Sequence, residues 1–266
     1  MNIINFAKNN CVLCAVLAVG AVLFTSCESS ISIKANKDSS TQIQVNADVG
    51  PIVYNTIKAV TAGMSEMAAS GNQASGTAKN DTGKDVPIFS AAEIKSGLST
   101  GDMTDVSVST PTVSSLSING KLSAPADQVS TLNDTNSVKV ANFVTCTKNS
   151  LTLILAPAMI KQIGESLPQS TKSYLDLLMA PVFTGEQMSA SEYIDVVAAV
   201  YGDELSKELA SSAVKITLAV PDGTTIKKTS LSDAQNVKTS AGQVTFSIPL
   251  AEFLTLSATK TFSISW

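Results

Sequence analysis

Ser30-Ile31-Ser32-Ile33-Lys34-Ala35 and Thr41-Gln42-Ile43-Gln44-Val45-Asn46-Ala47 place an apolar residue at almost every second position. Side chains on a strand point alternately to opposite faces, so a period of two makes each stretch a strand with one buried face and one wet one. Asn36-Lys37-Asp38-Ser39-Ser40 between them is turn chemistry, and the whole reads as a β-hairpin. The far end of the chain repeats the pattern. Val214, Ile216, Leu218 and Val220 alternate up to the turn Pro221-Asp222-Gly223, Val244, Phe246 and Ile248 alternate beyond it, and Phe262, Ile264 and Trp266 close the chain as a last strand.

Between these ends the period changes. Asp48 is placed to cap a helix with Pro51 in its first turn, and Val53, Ile57, Val60, Met64 and Met67 recur at helical steps. A polar stretch near 71–86, almost free of apolar residues, reads as a mobile surface loop. Ser90-Ala91-Ala92-Glu93 is a capping-box pattern opening a short helix, and strands are expected around Val106–Val108 and Leu116–Ile118. Val138–Cys146 and Leu151–Leu155, joined by Lys148-Asn149-Ser150, look like a second hairpin. Helices follow at Met159–Ser166 and Tyr174–Met179, then a longer one capped by Ser189 with Glu192 three places on. Its apolar stripe is Tyr193, Val196, Val197, Val200 and Tyr201, and Gly202 ends or kinks it before Leu205 and Leu209 continue the stripe. The expectation is an α+β fold. Antiparallel hairpins at both ends of the chain share a sheet, packed against helices from the first third and from the 157–211 region. No internal repeat at a fixed period is present.

The first 26 residues have another character. Lys8 is their only charge, and an apolar run from Cys11 to Phe24 follows, a length suited to a signal core and short of the ~20 residues that cross a bilayer. Leu23-Phe24-Thr25-Ser26-Cys27 resembles the lipobox of bacterial prolipoproteins, with small residues before the cysteine and Phe24 where that family has a smaller aliphatic residue. The resemblance covers the signal alone. It implies export, cleavage before Cys27, a lipid such as palmitate on that residue, and a folded part held at a membrane of the cell envelope. The alternatives are ordinary signal cleavage, which leaves Cys27 a free thiol, and a membrane anchor or core helix. Cleavage leaves residues 27–266, expected as a single α+β extracytoplasmic domain large enough for its own core. Glu28 and Ser29 are then the only tether, about 10 Å at full extension.

Composition removes several functions. Without Lys8, 17 lysines face 22 acidic residues, a net charge of −5, and the chain contains no arginine, so nothing supplies the clustered cations that bind nucleic acid. Cys11 and Cys14 leave with the signal and Cys27 carries the lipid, which leaves Cys146 without an intrachain partner and best read as a small buried hydrophobe. A chain without histidine cannot build a Ser-His-Asp or Cys-His site, a histidine zinc site or a histidine base. Three chemistries stay open. Ser212-Ala213-Val214-Lys215 and Ser257-Ala258-Thr259-Lys260 resemble the nucleophile motif of penicillin-binding proteins in four residues only, and no Lys-Thr-Gly accompanies them. Glu186, Glu192, Asp195, Asp203, Glu204 and Glu208 could supply two carboxylates across a sugar cleft, against which stands their fit to helix-terminal and solvated positions. Asp81 with Asp85, Asp102 with Asp105, and Asp134 between Asn133 and Asn136 lack a full calcium loop and suit turns and caps.

The segment from Met159 to Phe183 is rich in Met, Leu and Ile, and such helices either pack on a sheet or line a groove. Met159, Ile163, Leu175, Leu178, Met179 and Phe183 are the candidate walls for a small apolar ligand. The sequence therefore points to a membrane-anchored envelope lipoprotein with a structural, assembly or interaction role. An apolar-ligand carrier is the alternative, and a His-free hydrolase a third reading. No catalytic residue, metal or cofactor is assigned, and the expected partners are the membrane through lipid on Cys27 and an envelope protein or apolar ligand.

Overall fold

A computed structural model describes residues 29–59, 87–99, 103–122, 143–158, 160–161 and 179–266. β1 (Ser29–Ala35) and β2 (Thr41–Asp48) form the expected hairpin, in register from Ser30 opposite Asn46 to Ala35 opposite Thr41. Its turn is tied by the Ser39 and Asn36 amides, and Ser39 adopts a positive φ of 62°. Each strand buries alternate residues, so the period of two seen in the sequence is the period of burial.

β3 (Met103–Ser109) and β4 (Ser115–Leu122) add to the β2 side. β7 (Ala213–Ala219), β9 (Gln235–Thr239) and β10 (Gln243–Pro249) add to the β1 side. The result is a seven-stranded sheet in the order β3-β4-β2-β1-β7-β10-β9. The hairpins of the two chain ends do share a sheet, and they join through a parallel ladder between β1 and β7. Parallel neighbours need a long crossover, here everything between β2 and β7. The expected last strand is present as β11 (Lys260–Ser265), and it lies outside this sheet, paired with β6 (Ser150–Leu155) and β8 (Lys228–Leu231). With β5 (Val144–Cys146) they form a four-stranded antiparallel sheet, β5-β6-β11-β8. β5 and β6 are the second hairpin; residues 138–142, assigned to its first strand, lie outside the described residues.

One core unites the two sheets. Ile33, Val45, Ile118, Ile216, Phe246 and Ile248 from the large sheet and Leu151, Leu153, Phe262 and Ile264 from the small one belong to a single cluster of buried side chains. The rings of Phe246 and Phe262 stack with centroids 4.6 Å apart and planes inclined by 25°.

The helices complete the cluster. α1 (51–59) contributes Val53 and Ile57, α2 (Ala91–Ser99) Ile94 and Leu98, α4 (Ala190–Tyr201) Tyr193 and Val197, α5 (Asp203–Ser211) Leu205 and Leu209, and α6 (Leu250–Leu254) Phe253 and Leu254. The short α3 (Pro181–Thr184) contributes Val182. Burial of Tyr193, with the nearby Tyr201 phenol adding to it, pushes its own phenol well above the usual tyrosine range. The Ser189–Glu192 capping box is formed in full. The stripe of α4 differs from expectation: it is centred on Tyr193, Ile194, Val197 and Tyr201, which leaves Val200 54 % exposed on its flank. The cap of α1 differs too. Asp48 remains in β2 opposite Ser115, and the free amides of Ile52 and Val53 donate to the Glu208 carboxylate of α5, at 3.3 and 3.1 Å. Helix amides left without carbonyl partners favour a negative acceptor, and a distant side chain supplies it. The loop near 71–86 and the segments 60–70 and 162–178 lie outside the described residues.

Candidate functional site

The burial pattern that fills the core also builds a second surface. The residues skipped by the apolar alternation of the large sheet point to the opposite face, and strand register sorts them into rows, save exposed Asp105, which at φ 54° in the β3 bulge between Thr104 and Ser107 falls in none. The middle row reads Ser107, Asn119, Gln44, Ser32, Thr217 and Thr245, with Lys238 opposite Thr245 on the next strand. One row toward the start of β1 stand Ser109, Ser117, Asn46, Ser30, Lys215 and Ser247. One row the other way stand Thr104, Lys121, Gln42, Lys34, Ala219 and Gln243. Neighbouring strands lie ~4.8 Å apart and successive same-face residues about 7 Å apart, so the face is a lattice of hydroxyl and amide groups at regular intervals. An antiparallel ladder can keep such a face in water, and Gln42, Gln44, Ser107 and Lys215 are exposed.

Part of the lattice is bonded internally. The Ser117 hydroxyl donates to Asn46 Oδ1 at 2.9 Å, Asn46 Nδ2 donates to Ser30 Oγ at 3.4 Å, and the Thr217 and Thr245 hydroxyls share a bond of 3.0 Å. Ser32, Gln44 and Asn119, neighbours in the middle row, make no side-chain hydrogen bond among the described residues. The charges are one-sided. The three rows hold Lys34, Lys121 and Lys215, joined by Lys238, and no carboxylate; Asp48 stands one row further toward the foot of the sheet. Lys34 pairs with Asp222 at 2.8 Å and Lys121 with Asp38 at 3.4 Å, both acids coming from turns at the rim. The hydrogen bond from Lys34, and then its charge, hold the Asp222 carboxyl below the usual carboxylate range; bonds from the Ser40 hydroxyl and amide do the same for Asp38. Lys215 and Lys238 have no acidic partner among the described residues.

A cleft of about 320 Å³ opens at the same rim, between Lys34 and the turns that contain Pro221, Asp222, Gly223 and Ser240. It is polar and shallow. At the opposite end of β1, Ser29 is 1 % exposed, and its hydroxyl is the one buried side-chain oxygen without a partner among the described residues.

Among the described residues, those singled out from the sequence form no common site. Cys27, Met159, Ile163, Leu175 and Leu178 lie outside the described residues, as do Asp81, Asp85, Asp102, Asn133, Asp134 and Asn136. Of the proposed apolar walls, Met179 sits in a turn at φ 46° and is 37 % exposed, while Phe183 packs half-buried against the core. Ser212 is buried and donates to the Glu208 carbonyl at 2.6 Å, whereas Lys215 projects to the wet face, so the two are not a nucleophile and base. Ser257 is exposed, and Lys260 pairs instead with Glu252 at 3.3 Å and Asp233 at 3.9 Å. Glu192 and Glu208 are engaged at helix N-termini, Glu208 being half-buried rather than on a solvated face. Among the described residues no group of three or more Cys, Asp or Glu side chains is placed to hold a metal ion. Cys146 is buried, and burial pushes its thiol up to about 11, as befits a small hydrophobe.

The residues of the wet face were visible in the sequence as the gaps in each alternation, but only register shows them as one surface. No helix among the described residues is long and apolar enough to cross a membrane. Compared with known proteins, the chain matches no family, no curated protein and no solved structure.

Proposed function

We propose that this protein is a lipid-anchored component of the cell envelope that acts by presenting its large sheet to another envelope molecule. The observation that carries this reading is the position of β1. Its first residue, Ser29, follows the lipobox-like cysteine by two positions in sequence, yet β1 is the central strand of seven, laddered to β2 on one side and β7 on the other. A lipid on Cys27 would then enter the middle of the sheet with almost no slack. The end of the sheet that holds Ser29 and Asp48 would stand next to the bilayer, and the rim with Asp38, Asp222 and the cleft about 20 Å further out.

Expression of the full chain in a bacterial host with an alkyne-tagged fatty acid tests the anchor. Wild type is expected to carry the label and sediment with membranes, and Cys27→Ala to lose the label and accumulate unprocessed. A wild-type protein that is cleaved, unlabelled and released would overturn the reading.

A further inference from the structure

We infer that the wet face of the seven-stranded sheet is a docking surface for an acidic polysaccharide, laid across the strands along the hydroxyl and amide rows and held by Lys215 and Lys238. This deepens the interaction reading by naming the partner's chemistry, and rests on that reading only for where the partner is met.

Three observations converge. The face has no anchor for a folded protein, because such interfaces centre on buried aromatic and large apolar side chains and these rows offer only Ala219. It does hold hydrogen-bonding capacity that no described residue takes up: Ser32, Gln44 and Asn119 stand side by side on adjacent strands, Gln44 exposed and Ser32 and Asn119 half-buried. A polyhydroxyl chain satisfies such groups, and a repeating polymer meets a repeating lattice with the same contact many times over. The charge is complementary to an acidic chain. In a protein with 22 acidic and 18 basic residues, these rows and Lys238 carry lysines alone, and Lys215 and Lys238 have no acidic partner among the described residues. Nucleic acid, the other acidic polymer, is a poorer fit, since the face has neither arginine nor an aromatic side chain on which bases stack.

The test is retention of the detergent-solubilised full-length product on polygalacturonate, with neutral dextran and poly-glutamate as comparison matrices, at low and at ~150 mM salt. Polygalacturonate is expected to retain it and dextran and poly-glutamate to do so weakly. Lys215→Gln with Lys238→Gln, and separately Gln44→Ala with Asn119→Ala, should each weaken polygalacturonate binding about tenfold, with the circular dichroism spectrum unchanged. If neither acidic matrix retains the protein, or if binding survives both double variants, the proposal is overturned. Equal retention on poly-glutamate, unaffected by the amide variant, also overturns it in favour of an acidic protein partner. The intact mass of the same preparation reports whether lipid is attached, so failure of the anchor and failure of the face are read separately.

Discussion

The two sheets begin from the same alternation and end in different situations. In the large sheet the centre is made from opposite ends of the chain, β1 beside β7, and its apolar face is roofed by helices and by the small sheet. The small sheet has only four strands, and its inner residues, Leu151, Leu153, Phe262 and Ile264, reach full burial against the rest of the cluster. A four-stranded sheet of this kind buries its face on something else, and here that is the large sheet, through the Phe246–Phe262 stack. The inner face of the small sheet is thus part of the core of the large one, whose opposite face carries the polar rows.

The strongest way to break this comparison is Phe262→Ala. It removes a fully buried ring at the junction and should cost about 3–5 kcal/mol. If the sheets unfold as one unit, urea transitions followed by fluorescence of the lone Trp266 and by far-ultraviolet circular dichroism will shift together; separate transitions would show that the small sheet stands alone. Next in size is Glu208→Ala, which strips the acceptor from the α1 amides and should cost about 1–2 kcal/mol. Glu208→Gln keeps one acceptor oxygen and should lose less in the same titration. Ser29→Ala has the opposite sign. It deletes a buried hydroxyl that bonds to nothing described, and should raise stability by about 1 kcal/mol, seen as a higher urea midpoint at unchanged slope.

The smallest effect is with pH. Glu192, Asp38 and Asp222 are each held below the ordinary carboxylate range, Glu192 by the Ser189 amide and then its hydroxyl. A carboxyl with a lowered folded pKa contributes stability above its unfolded value and loses it as pH falls through the folded one. The thermal midpoint should therefore decline on acidification below the ordinary carboxylate pKa. Ser189→Ala should lower the midpoint at neutral pH and make the acid decline shallower.

The sequence was a good guide wherever structure is local. The two-residue period found β1, β2, β7 and β10, Ser189 with Glu192 marked the start of α4, and Gly202 at φ 93° ends it. Pairing across long separations was beyond it. Nothing in Phe262-Ser263-Ile264 says which of two apolar faces it will meet, so the strand was legible and its sheet was not. Glu208 looked like a solvated charge because its partner amides lie at the other end of the chain. The wet face shows the same limit: Ser, Thr, Asn and Gln in the gaps of an alternation are what any solvated strand contains. Their gathering into lysine-bearing rows free of carboxylates appears only once seven strands are in register.

The central place of β1 has a mechanical side. A load applied at Ser29 along the strand is carried in shear by the β2 and β7 ladders at once, and β1 can slide out only if many bonds on both sides fail together. At an edge strand pulled outward, the same load would peel a single ladder bond by bond. The chain thus enters its fold through the strand best placed to hold the body against a sustained pull.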